Sequence, residues 1–114
     1  MKNLTKIFKA LSDQNRIRIM KMLEEKELCL CEISSVLKLA NSTVSKHLSI
    51  LREAGLIVDF KEGKWVNFRL AQSPESTYVK EMQLFLKKWL SDDETIQTDK
   101  KLKSLADRNK ICGG

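Results

Sequence analysis

Turn-forming residues are scarce in this chain of 114 residues, with one proline and four glycines. That scarcity argues against a turn-dense or low-complexity architecture and leaves a chain rich in helix formers. Histidine occurs once and cysteine three times. An odd, small set of thiols does not suit a disulfide framework, and reads better as sulfur available for metal or redox chemistry. No apolar run approaches the roughly 18 residues of a membrane span. Met1-Lys2-Asn3-Leu4 opens no secretory signal, so the expectation is a cytoplasmic protein with no membrane partner. The chain also lacks a nucleophile elbow and a glycine-rich phosphate loop, which argues against an enzyme.

What is present is charge and periodicity. Lysine and arginine number 21 against 15 acidic residues, a net charge of +6, which favours a polyanion as partner. The excess is spread along the chain: 8 basic against 5 acidic residues over 1–41, 5 against 3 over 42–73, and 8 against 7 over 74–114. With no polybasic tail, contact with nucleic acid has to come from a folded surface. A solvated domain can carry the same net charge, so charge alone does not decide.

Leu4, Ile7, Phe8 and Leu11 follow helical spacing and predict a helix over 3–11. Ser12-Asp13 offers a cap for a second helix carrying Ile17, Met20 and Leu23. A short third helix carries Ile33, Val36 and Leu37. A fourth places Val44, Leu48 and Leu51 on one face and ends at Ala54-Gly55, where glycine suits the left-handed position after a helix. The period then changes. Leu56–Phe60 and Trp65–Leu70 are β-rich runs joined by Lys61-Glu62-Gly63-Lys64, a hairpin signal. Helices resume after Pro74: Tyr78, Met82, Phe85, Leu86 and Trp89 recur at helical spacing. Ser91-Asp92-Asp93-Glu94 caps a last helix with Ile96, Leu102, Leu105 and Ala106. The fold class expected is mainly α with a small β-hairpin, a winged helix-turn-helix, in which the second helix of the pair enters the major groove.

On that helix Ser42, Ser45, Lys46 and Ser49 face away from the apolar stripe. Short hydroxyl side chains let the backbone approach base edges and phosphates, and Ser42 and Thr43 lie in the first turn, where free N–H groups attract phosphate. Lys61 and Lys64 flank Gly63 at the hairpin tip, with Arg69 on the returning strand, as cations able to displace counterions. The same lysines would also guard an edge strand against aggregation. His47 lies between core positions and reads either as structural or as a phosphate contact.

Glu27-Leu28-Cys29-Leu30-Cys31-Glu32 places two thiols at the start of the third helix. Read as a capping box, Cys29-x-x-Glu32 puts Cys29 at the N-cap and Glu32 at N3. This matters because residues two apart inside a regular helix point about 200° apart and cannot share one ion. At the boundary the sulfurs could converge with some unwinding, and the helix dipole favours thiolates. The alternative is that Cys29 and Cys31 are small buried apolar residues. Cys112 is either a third ligand or a bystander thiol.

Asn41-Ser42-Thr43-Val44-Ser45-Lys46-His47-Leu48-Ser49-Ile50-Leu51-Arg52-Glu53-Ala54-Gly55-Leu56-Ile57 resembles the recognition-helix signature of the ArsR/SmtB family of small bacterial winged-helix repressors. Glu62–Leu70 resembles that family's wing, and Leu11–Arg16 the start of its second helix. The likeness spans roughly residues 4–90, and Glu27–Glu32 resembles the subgroup sensing trivalent arsenic and antimony. The resemblance implies a homodimer built from the first and penultimate helices, consistent with the stripe Tyr78, Met82, Phe85 and Trp89. It implies double-stranded operator DNA with an inverted repeat as partner, and As(III) or Sb(III) as inducer on Cys29 and Cys31, Cys112 being a candidate third ligand. The DNA-binding set is Ser42, Thr43, Ser45, Lys46, His47, Ser49, Lys61 and Lys64. Residues 1–110 then form one domain with dimerisation helices at both ends, and 111–114 a flexible tail.

Two departures from the family pattern stand out. Ser34 occupies the position where arsenic sensors of this kind carry a further cysteine. Ala40 replaces a hydroxyl residue ahead of the recognition helix, leaving Asn41 or Ser42 to cap it. Three rival readings remain. One is a thiol-redox or persulfide-responsive repressor pairing Cys112 with Cys29 or Cys31. Another is a zinc or cadmium sensor, disfavoured because Pro74–Leu90 lacks histidines. The third is a protein-binding winged helix.

Overall fold

The computed structural model describes residues 1–72 and 76–106; the expected tail at 111–114 and Cys112 lie outside them. The element order is α1 (Lys2–Ala10), α2 (Gln14–Leu23), β1 (Leu28–Cys29), α3 (Leu30–Leu37), α4 (Asn41–Glu53), β2 (Ile57–Glu62), β3 (Trp65–Leu70), α5 (Thr77–Lys88) and α6 (Glu94–Leu105). Every helix expected from the apolar spacing is present, and so is the hairpin. The hairpin is part of a three-stranded antiparallel sheet in the order β1-β3-β2. Its third strand, β1, is two residues long and therefore too short to carry an alternating pattern.

Local chemistry accounts for the element ends. Asp13 N-caps α2, its Oδ1 accepting from Asn15 N at 2.8 Å and Arg16 N at 3.1 Å. Asp93 caps α6 by accepting from Ile96 N at 3.1 Å. Gly55 holds φ +80° after α4, a conformation glycine adopts without steric cost. Gly63, at φ +60°, is the first residue of a two-residue loop joining Glu62 to Trp65, where a type II′ turn calls for glycine. The turn between α3 and α4 does without glycine, because Lys38 itself adopts the left-handed region at φ 58°.

One core joins these elements. Ile7 from α1, Ile19 and Met20 from α2, Ile33 from α3, Val44, Leu48 and Leu51 from α4, and Val79 from α5 are all buried in it. Each large aliphatic side chain contributes about 1.5–3 kcal/mol. The face of α4 that carries Val44, Leu48 and Leu51 is thus held against the core, and the opposite face is left outward.

α6 docks differently. Its fully buried side chains are Asp99 and Lys103. Arg18 forks onto Asp99 with two 2.8 Å bonds. Lys103 donates to the Met22 carbonyl at 3.3 Å and to Glu25 at 2.7 Å. Leu105, expected within this helix, is 79% exposed and packs on nothing in the core. A second buried lysine, Lys21, donates to the Leu86 carbonyl at 2.6 Å and ties α2 to the last turn of α5.

Candidate nucleic-acid interface and thiol turn

Ser42, Thr43, Ser45 and Lys46 are exposed on α4, and Ser49 is half-buried on its flank. These residues share the face turned from the core, as the spacing of Val44, Leu48 and Leu51 requires. The expectation that Asn41 or Ser42 would cap the helix is not met. Ala40 is the N-cap, in extended conformation, and no side chain caps the helix. The helix begins one residue before the first hydroxyl, so Ser42 and Thr43 sit inside the first turn with their hydroxyls outward. That turn therefore combines backbone donors with two hydroxyls, a set suited to phosphate oxygens.

His47 is half-buried and is tied to α2. The Arg16 guanidinium donates from Nη1 to His47 Nδ1 at 3.1 Å, from Nε to the Ala10 carbonyl at 2.7 Å and from Nη2 to the Lys9 carbonyl at 3.1 Å. Guanidinium has no acceptor, so this contact needs a lone pair on Nδ1 and places the ring proton on Nε2. Arg16 thereby caps the end of α1 and clamps it to α4. The structural half of the alternative for His47 is realised in this contact. Beside it, burial works to raise the pKa of the Asp13 carboxyl. The N–H donors of Arg16 and Asn15, with the nearby charge of the Arg16 guanidinium, prevail and hold it below the usual 3.8.

At the wing, Lys61 and Lys64 are both exposed. Lys64 Nζ lies 4.9 Å from the centroid of the Trp65 ring, which steadies the side chain without burying its charge. Arg69 is not part of the tip. Its guanidinium carbon lies 5.0 Å from the Phe60 ring centroid and Nη1 lies 3.8 Å from Glu27, because Arg69 pairs with Val58 near the sheet end remote from Gly63.

The thiol turn has the expected local form. Cys29 is the N-cap of α3, with extended backbone at φ −88°, ψ 167°. Glu32 Oε1 accepts from Cys29 N at 2.9 Å, and the Cys29 sulfur faces the Glu32 backbone N–H in return. Cys29 is 2% exposed; Cys31 is half-buried and held in a disulfide. Among the described residues, no group of three or more His, Cys, Asp or Glu side chains is placed to hold a metal ion. Sequence reasoning missed what lies across from the turn. Leu28 pairs with Phe68 and Cys29 with Asn67, so the capping cysteine is stitched to the return strand of the wing. Asn67 is buried, and its Oδ1 has no hydrogen-bond partner among the described residues. A polar residue between Val66 and Phe68 was the available signal.

α5 divides its apolar residues between two faces. Val79 and Leu86 are buried and Met82 packs against the core, whereas Tyr78, Leu84, Phe85 and Trp89 remain exposed. Met82 therefore leaves the stripe expected at a dimer interface. Phe85 and Trp89 stack at 5.4 Å with their planes 13° apart, and Phe8 of α1 is exposed as well.

Residues 13–58 match the family model for bacterial regulatory proteins of the arsR family. The chain is 35% identical over 109 residues to the arsenical resistance operon repressor of Escherichia coli strain K12, covering 95% of this chain and 87% of the relative. The fold superposes on reduced HlyU from Vibrio cholerae N16961 with a TM-score of 0.66 and 34% identity, covering 79% of this chain and 90% of that one. It also superposes on the cadmium metal-sensor CMTR from Mycobacterium tuberculosis, with a TM-score of 0.59 and 31% identity over 76% of this chain and 83% of the other.

Proposed function

Because the chain belongs to the arsR family of bacterial regulatory proteins, we propose that it is a homodimeric repressor of a metalloid-resistance operon, released from operator DNA when As(III) or Sb(III) binds the thiolates of Cys29 and Cys31. The family assignment makes the chain a DNA-binding transcriptional regulator and not an enzyme. The inducer, the operator and the dimer are the proposal. Double-stranded DNA with an inverted repeat is the partner that two copies of α4 and the wing would read. The exposed aromatics of α5 and the exposed Phe8 of α1 support a second copy as their cover.

The observation that carries the inducer reading is the placement of Cys29. It ends β1 and caps α3 at once, so one residue is bonded both to the wing and to the helix that packs against α4. Soft thiolates select thiophilic ions. Drawing the sulfurs of Cys29 and Cys31 together requires the first turn of α3 to unwind, which strips the Glu32 bond from Cys29 N. Such unwinding reaches DNA by two routes: through α3 to α4, and through the β1–β3 ladder to Lys61 and Lys64. Release then follows if the DNA-bound form holds the ion more weakly, a coupling of about 1–3 kcal/mol in systems of this type.

The test is a titration of the chain's own upstream promoter DNA with phosphine-reduced protein, with and without arsenite, repeated on Cys29→Ser and Cys31→Ser. Both variants should bind DNA with unchanged affinity and fail to release it. A variant that still lets go on arsenite addition removes the assignment to these thiols.

The disulfide at Cys31 favours a second reading, a repressor responsive to thiol oxidation. Oxidation of two thiols by peroxide gives one disulfide and two waters and would remove Cys31 from any ion site. Mass spectrometry after peroxide or polysulfide treatment, paired with operator binding, separates this reading from arsenite release.

A further inference from the structure

Three buried polar atoms have no hydrogen-bond partner among the described residues, Asn67 Oδ1, Ser34 Oγ and Arg69 Nε. Asn67 is 2% exposed, and the ladder sets it directly opposite Cys29. Directly opposed residues of an antiparallel pair project from the same face, with Cβ atoms about 4.5–5.5 Å apart. The Asn67 carboxamide therefore stands beside the Cys29 side chain, on the face of the sheet opposite to that of Leu28, Phe68 and Leu70, and both residues are buried there. A carbonyl oxygen buried without a donor is unusual enough in a folded protein to call for a reason.

The chemistry of the proposed inducer supplies one. Trivalent arsenic enters water as a neutral trihydroxide. Reaction with two thiols breaks two As–O bonds and forms two As–S bonds. Each departing hydroxide takes one thiol proton, giving two waters and no change in oxidation state. One hydroxyl stays on arsenic, and it is a hydrogen-bond donor. We infer that Asn67 is the residue that recognises this remaining hydroxyl, its Oδ1 accepting the O–H. The site then consists of two sulfurs and one carboxamide oxygen. The inference rests on the inducer reading above and deepens it, because it assigns selectivity for a ligand that keeps one hydroxyl.

An aryl arsenical distinguishes the two ideas. Phenylarsonous acid has two hydroxyls to exchange for sulfur and a phenyl group in the third place, so it forms the same two As–S bonds with no O–H left to donate. The experiment uses the full chain, reduced with a phosphine, and titrates arsenite and phenylarsonous acid separately. It reads the near-ultraviolet As–S absorbance and, in parallel, operator release. In Asn67→Leu, which keeps a similar volume without the acceptor, arsenite affinity should fall about tenfold, about 1.4 kcal/mol, while phenylarsonous acid binds within about threefold of the unsubstituted protein. Asn67→Ala should give the same pattern, and Ser34→Ala should leave the ratio of the two affinities unchanged. An unchanged ratio in both Asn67 variants overturns the inference, as does a changed ratio in Ser34→Ala alone. If the unsubstituted protein binds neither arsenical, the inducer reading fails first. The ratio is taken within each variant, so a loss of folded protein does not imitate the result.

Discussion

The placement of Lys46 on α4 and of Lys61 and Lys64 at the wing makes a quantitative prediction about salt. All three are exposed, on α4 and on the hairpin tip, and the proposed dimer presents the set twice. Each phosphate neutralised by a cation steepens the logarithmic salt dependence of binding by about 0.9. Six such contacts contribute a slope of about −5, so affinity from this source should fall about a thousandfold between 50 and 200 mM salt. Lysine to glutamine is the right perturbation, since it removes charge while keeping a polar chain of similar length. Each single substitution should flatten the slope by about 2 per dimer, and Lys46→Gln/Lys61→Gln/Lys64→Gln by about 5. Lys64→Gln also loses the contact with the Trp65 ring at 4.9 Å, so its folding should be checked by circular dichroism. The assay is fluorescence anisotropy on operator and on scrambled DNA across that salt range. Ser45→Ala serves as contrast, lowering discrimination between the two DNAs with the slope unchanged. A triple variant with the parent's slope would refute the assignment of phosphate contacts to this face, and with it the docking of α4 and the wing on DNA.

Further predictions concern stability. Arg18→Met leaves the Asp99 carboxylate, whose side chain is 3% exposed, without its bidentate partner, and should cost about 3–5 kcal/mol in urea denaturation at fixed protein concentration. Arg18→Met/Asp99→Leu should recover most of that loss, and no recovery would mean that the fork does not hold α6. Lys38→Gly should stabilise by about 1 kcal/mol, since φ 58° strains a residue with a Cβ; an unchanged melting temperature counts against that strain. Stability should also fall in acid. Hydrogen bonds from Lys100 and then Lys103 hold the Glu25 carboxyl below its usual 4.5, and the Asp13 carboxyl lies below its usual 3.8. Carboxylates with lowered values stabilise the fold fully above those usual values and lose that contribution as pH falls through the lowered ones. A shallower loss of stability below pH 4.5 in Glu25→Gln/Asp13→Asn than in the parent is the expected outcome of denaturant titrations, and an unchanged slope would refute it.

Much of this molecule was legible as a string of residues because the interactions concerned are local. The stripe Val44, Leu48 and Leu51 repeats at helical spacing, so the outward position of Ser42, Ser45 and Lys46 follows from geometry alone. Gly55 and Gly63 mark backbone conformations that other residues resist. The capping box of Cys29 and Glu32 spans three residues, and its donors and acceptors are written in order. Lys61 and Lys64 needed only the hairpin to be placed. Where the local signals competed, the reading slipped: Asn41 and Ser42 are both good caps, yet the chain turns at Ala40.

The rest was decided in three dimensions. β1 has two residues and no period of its own; it exists because β3 offers an open edge at Asn67 and Phe68. Asp99 and Lys103 look like the polar side of α6, and become its anchor only when Arg18 and Met22 of α2, and Glu25 just beyond it, arrive. Arg16 and His47 are 31 residues apart, and their bond depends on how α1, α2 and α4 meet. The sequence by itself determined which segments are helix or hairpin, which face of α4 points outward and where the thiols sit, since neighbours within about four residues settle those matters. Tertiary structure alone decided that Cys29 is bound to the wing and that Asn67 stands beside it. Pairing between segments distant in sequence depends on the closure of the whole core, and no short stretch encodes that.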